Sequence, residues 1–183
     1  MHKVFLIGTL LLATAASAQQ KIDFESYNPP STLVVPQHPV TKAKFPFIDV
    51  HNHQFRMPTM DLNTLTVEMD KLNMRVMVNL SGGSGEQISG AAKNIKENKP
   101  GRFIVFANVD FKGVGEPGWG EKAAKQLEDD VKNGANGLKI YKSLGFSVKD
   151  ISGNRVPVVD ARLDLVWKKA GELKIPVIIH TAD

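Results

Sequence analysis

From Phe45 onward the apolar positions switch repeatedly between two periods. Short apolar runs at residues 47–51 (FIDVH), 75–80 (RVMVNL), 103–109 (FIVFANV), 138–141 (LKIY) and 176–180 (PVIIH) predict strands. Between them lie stretches with helical spacing. Residues 62–72 place Leu65, Met69 and Leu72 on one stripe, and residues 88–98 end at Pro100-Gly101. Residues 121–133 form a charged amphipathic segment with Gly134 as its stop, and residues 161–173 follow Asp160 as an N-cap. The order is strand then helix, four times, then a fifth strand, which predicts an α/β domain on a parallel sheet. Ahead of it, residues 19–44 hold Pro29, Pro30, Pro36 and Pro39 with little periodicity and read as an extended leader over the domain surface. No repeat of solenoid length is present.

Two architectures suit such alternation: an open doubly wound sheet and a TIM-type barrel. A dinucleotide-binding sheet carries G-x-G-x-x-G after its first strand, whereas here that strand runs into His51-Asn52-His53. The glycine-rich loop at 81–85 follows the second strand and lacks the spacing. This favours the barrel. That loop has two readings, an anion cradle of backbone N–H groups or a plain turn.

Composition narrows the function classes. Hydrophobic residues make up 42% of the 183 and charged residues 23%, an ordinary globular balance. The net charge is +4, with basic residues scattered, so neither nucleic acid nor an anionic membrane surface is an expected partner. Residues 1–18 are set apart by Lys3, an apolar run over 4–13 and Ala16-Ser17-Ala18, which together read as a signal peptide cut before Gln19. The run is too short for a stable membrane anchor. A secreted or periplasmic domain is expected, and without cysteine it forms no disulfides.

The chemistry concentrates in histidine. His51 and His53 stand two apart at the end of the first strand, so both rings project to one face. His180 ends the fifth strand. In a barrel, strand ends converge on one rim, where the three imidazoles can share a divalent metal, with Zn²⁺ best suited and Fe, Ni or Co as alternatives. Asp49 shares the face of His51, either orienting a ligand or bonding locally. Lys139 and Tyr141 share a face of the fourth strand, opposite Leu138 and Ile140. Binding a substrate carboxylate and pairing with an interior acid are both open to Lys139. Asn108 and Asp110 are candidates for lining the pocket, and Trp119 and Trp167 read as packing residues.

Three segments together, FPFIDVHNH (45–53), GLKIYKSLG (137–145) and IPVIIHTAD (175–183), resemble the first, fourth and fifth strands of the amidohydrolase superfamily. The likeness is greatest to its amidohydrolase-related group, which includes aminocarboxymuconate-semialdehyde decarboxylase. The resemblance spans residues 45–183 and implies a (β/α)8 barrel with one or two divalent metals. It assigns His51, His53 and His180 as metal ligands, and for two-metal members it makes Lys139 a carbamylated bridge. Such a family also uses a histidine on strand six and an aspartate at strand eight. The sequence reaches Asp183 just past strand five, so the match is to the N-terminal part of the barrel, truncated after about strand five. Asp183 lies in a loop and is not that aspartate. The implied activity is hydrolysis of an amide, ester or lactone carbonyl in a small-molecule substrate by metal-activated water. The alternatives are a metal-dependent decarboxylase and a non-catalytic truncated remnant with exposed edges, prone to self-association as a homo-oligomer.

Overall fold

A computed structural model describes residues 25–36 and 38–180. The signal-peptide reading of residues 1–18 and the placement of Asp183 lie outside the described residues. The chain divides into two units, at Met1–Pro39 and Val40–Asp183. In the first, the described residues are exposed and form no helix or strand, as four prolines without apolar periodicity dictate.

The second unit is the α/β domain. Its strands are β1 (Phe47–Asn52), β2 (Met74–Asn79), β3 (Phe103–Asn108), β4 (Gly137–Ile140) and β5 (Val177–Ile179). They pair in parallel in the order β1-β2-β3-β4-β5. The connecting helices are α1 (Leu62–Leu72), α2 (Glu86–Asn98), α3 (Trp119–Lys132) and α5 (Asp164–Glu172). A single turn, α4 (Ser143–Phe146), was not foreseen; Leu144 and Gly145 inside it have non-helical dihedrals. Among the described residues, no helix is long and apolar enough to cross a membrane.

Several helix ends fall at capping or stop residues. The Asp61 carboxylate accepts from the backbone N–H of Asn63 at 2.8 Å, and that of Asp160 accepts from Arg162 at 3.0 Å. Asp160 caps a short 3-10 turn (Ala161–Leu163) that leads into α5. Gly134 follows α3 at φ 115°, and a Cβ there would meet the Ala92 Cβ at 2.6 Å. The expected stripe on α1 is rotated: Leu62, Thr66 and Met69 are buried, while Leu72 at the last turn is 45% exposed.

The sheet has two differently packed faces. On the helix side, Met77, Phe103, Val105, Ala107, Leu138 and Ile140 join Ile88, Leu127, Leu163 and Val166 in the main core. On the other side, Val78, Leu80 and Phe106 cluster with Ile104 and Ile178. Phe106 covers Gly137 so closely that a Cβ there would lie 2.5 Å from its ring. This second, concave face is where Lys139 projects, since Leu138 and Ile140 occupy the helix side.

The sheet is curled. Four strand spacings across a flat sheet amount to about 19 Å. Yet the His51 ring at the end of β1 stands 6.3 Å from that of His180, just past β5. Five parallel strands bent this far make half of a barrel wall. The edge strands leave apolar groups uncovered: Ile48 is 54% exposed, Val50 63%, Val177 37% and Ile179 40%.

Candidate metal centre

The C-terminal end of β1 is irregular where the chemistry lies. Asp49 is paired with Met77 and Asn52 with Asn79, so three steps on β1 face two on β2. One extra residue makes a β-bulge, a device that re-aims side chains. The Asp49 carboxylate spans it, accepting from the backbone N–H of His51 at 3.0 Å and from the Asn52 amide at 2.9 Å. Asp49 therefore acts on the backbone that carries His51 and not on an imidazole.

The next residues are held from β2. Asn79, completely buried, accepts from the backbone N–H groups of Gln54 at 2.8 Å and Ser81 at 3.0 Å, and donates to the Gln54 carbonyl at 3.0 Å. Leu80 donates its backbone N–H to the Asn52 carbonyl at 2.8 Å. His53 is thus fixed between a bulge and a clamp. Asn79 escaped notice in the sequence; its trace is a lone amide near the end of the apolar run RVMVNL.

The rings converge. The His51 and His53 centroids are 5.1 Å apart, with the ring planes inclined at 68°. His180 is positioned by its backbone N–H, which donates to the Ile140 carbonyl at 2.9 Å. Among the described residues, no three histidine, cysteine, aspartate or glutamate side chains already enclose a common point closely enough to hold an ion. The imidazoles face one another across ring-sized gaps.

A directed chain of hydrogen bonds fixes the His53 ring. The Leu80 carbonyl can only accept, and Tyr141 donates its hydroxyl to it at 3.2 Å. The Tyr141 and Ser81 hydroxyls share a hydrogen bond of 2.6 Å, and Ser81 Oγ shares one of 2.7 Å with His53 Nδ1. With Tyr141 donating to Leu80 and Ser81 to Tyr141, Nδ1 carries the proton and Nε2 keeps its lone pair, a tautomer able to ligate a metal through Nε2. Burial, then the neighbouring charges of His51, Lys139 and His180, hold the His53 pKa below its usual value and favour the neutral ring. Sequence reasoning had paired Tyr141 with Lys139 by alternation but gave Ser81 no role here.

The remaining candidates separate by their contacts. Lys139 is 1% exposed, and among the described residues its Nζ has no hydrogen-bond partner and no acid pairs with it. Burial lowers its pKa. Asn108 is a clip: its amide donates to the carbonyls of Leu80 (3.0 Å) and Lys139 (3.2 Å) and accepts from the Gly83 N–H (2.8 Å). Asp110 accepts from the backbone N–H of Lys112 at 2.9 Å and borders a cleft of about 410 Å³ with Trp119 and Gln126, away from the histidines. The loop at 81–85 is no anion cradle. The N–H groups of Ser81, Gly82, Gly83 and Gly85 already donate to Asn79, Phe106, Asn108 and Asp130. Trp119 is buried and Trp167 packs against the core, as expected.

Compared with models of protein families and with curated proteins, the sequence matches none.

Proposed function

We propose that His51, His53 and His180 are the strand-one and strand-five ligands of a divalent metal, zinc in the first instance, in an amidohydrolase-type hydrolase acting on an amide, ester or lactone. The observation that carries this reading is the meeting of three imidazoles from opposite ends of a five-strand sheet.

The residues present fit such an ion. A Zn–N bond of about 2.1 Å, with about 1.1 Å more to the ring centre, sets two imidazoles on one tetrahedral ion about 5 Å apart. His51 and His53 stand at 5.1 Å, as a shared ion would need, and His51 and His180 at 6.3 Å, so His180 would have to move inward to join them. When bound, the ion supplies a water acidified toward a pKa of about 7 and a Lewis-acid contact for a carbonyl oxygen. The protein's own share is orientation. Ser81 and Tyr141 aim the His53 lone pair outward, Asp49 and Asn79 fix the backbone on either side of the two histidines, and the paired end of β4 places His180. The concave face, lined by Val78, Leu80 and Phe106, offers an apolar wall to a substrate lying over the rim.

The test is the metal content of the full chain purified without chelator. About one equivalent of zinc is expected, and His51→Ala should lose it. A protein that neither holds nor takes up a divalent ion overturns the proposal, as does a His51→Ala variant with undiminished zinc.

A further inference from the structure

We infer that Lys139 is the seat for a carboxylate carried by the substrate, at the floor of the histidine cluster. This rests on reading that cluster as the reaction site, and it narrows the substrate to an acyl compound bearing a free carboxylate a few bonds from the scissile carbonyl.

The inference begins with an anomaly of placement. Lys139 is among the largest fully buried side chains, yet its Nζ has no hydrogen-bond partner among the described residues. An ammonium group has three hydrogens to donate, and proteins rarely bury one unpaired. Packing does not demand a lysine here, because the strand neighbours Leu138 and Ile140 fill the helix-side core by themselves. Among the described residues no carboxylate bonds to it; Asp49 on β1 is engaged by the His51 N–H and the Asn52 amide.

The surroundings give the vacancy a direction. Toward the start of β4, the Phe106 ring lies against Gly137 and closes that side with carbon. Toward the end of the strand stand Tyr141 and, facing them, His53, whose ring feels the charge of Lys139. The polar side is therefore the histidine side. The Lys139 backbone is held by the Asn108 amide, so the stem is anchored and the amine end alone awaits a partner.

Charge selects the ligand. Burial disfavours the ammonium form, and an arriving anion reverses this by supplying both countercharge and acceptors. One lysine matches a singly charged carboxylate with its two oxygens. A phosphate, with nearly two charges and several acceptors to satisfy, would need donors that one amine does not provide. An anion seated there lies beside the three imidazoles, so the rest of the molecule must extend over the rim where they meet.

The experiment uses the full chain stripped of metal, so that zinc cannot bind the probe, with glutarate and its uncharged diamide as ligands in calorimetric titration. Wild-type protein should bind glutarate about tenfold or more tighter than the diamide, and Lys139→Met should lose that preference. Zinc uptake, measured in parallel, should be unchanged in Lys139→Met. Equal binding of acid and diamide by the wild type overturns the inference without recourse to any variant. So does a Lys139→Met protein that keeps the preference, or a carbamate carbon on Lys139 after exposure to ¹³C-bicarbonate. If zinc uptake fails while the carboxylate preference stands, the metal reading falls alone; zinc bound without that preference sinks the present one alone.

Discussion

Ser81→Ala isolates the orienting chain from the ligands themselves. In the native chain Ser81 Oγ lies 2.7 Å from His53 Nδ1 and 2.6 Å from the Tyr141 hydroxyl. Removing it frees the His53 proton to move between ring nitrogens and frees the ring to turn. Partners of this kind are worth about 10- to 100-fold in metal affinity, or about 1.4–2.7 kcal/mol. The cost to folding should be smaller, about 1 kcal/mol, because Tyr141 keeps its bond to the Leu80 carbonyl. Competition for zinc against a chromophoric chelator reads the first quantity, and a denaturant titration reads the second. Imidazole ¹⁵N shifts in the metal-free protein should show the His53 proton on Nδ1. Since Tyr141 acts through Ser81, adding Tyr141→Phe to Ser81→Ala should weaken zinc binding no further. Wild-type zinc affinity in Ser81→Ala, or an Nε2-protonated His53 in the native protein, would refute the reasoning.

Two further predictions concern the scaffold. Arg162 grips Asp160 and holds its carboxyl down at about 2, so stability from this pair is complete above the ordinary aspartate pKa and fades as pH falls toward 2; Asp160→Ala should flatten that part of the acid-denaturation curve and cost about 1 kcal/mol at neutral pH as a lost cap, and an unaltered acid limb would count against it. Gly137→Ala drives a methyl to within 2.5 Å of the Phe106 ring and should destabilise by about 1–3 kcal/mol in thermal melts, whereas unchanged stability would mean the ring yields freely.

The βα order was legible because each strand is a short apolar run and each helix has a buried stripe with a recognisable stop, such as Gly134 after α3. The α4 turn was not, since its non-helical Leu144 and Gly145 give it no periodicity. The histidines were legible as residues two apart at a strand end. Alternation alone placed Asp49 beside them but missed the bulge that turns its carboxylate onto the backbone. Asn79 and Ser81 stayed hidden for a different reason. Their work is done across 25 and 28 residues of sequence, on Gln54 and His53, and local pattern carries no trace of such pairings.

The curl that brings His180 to His51 also closes a long loop of chain. The two rings belong to strands at opposite edges of the five-strand sheet, so their meeting carries the closure entropy of everything between them. The strand delivering His180 is three residues long, with Val177 and Ile179 more than a third exposed. The third histidine is therefore carried by a short strand, and whatever binds it together with His51 acts as a latch between two strands that do not pair with each other.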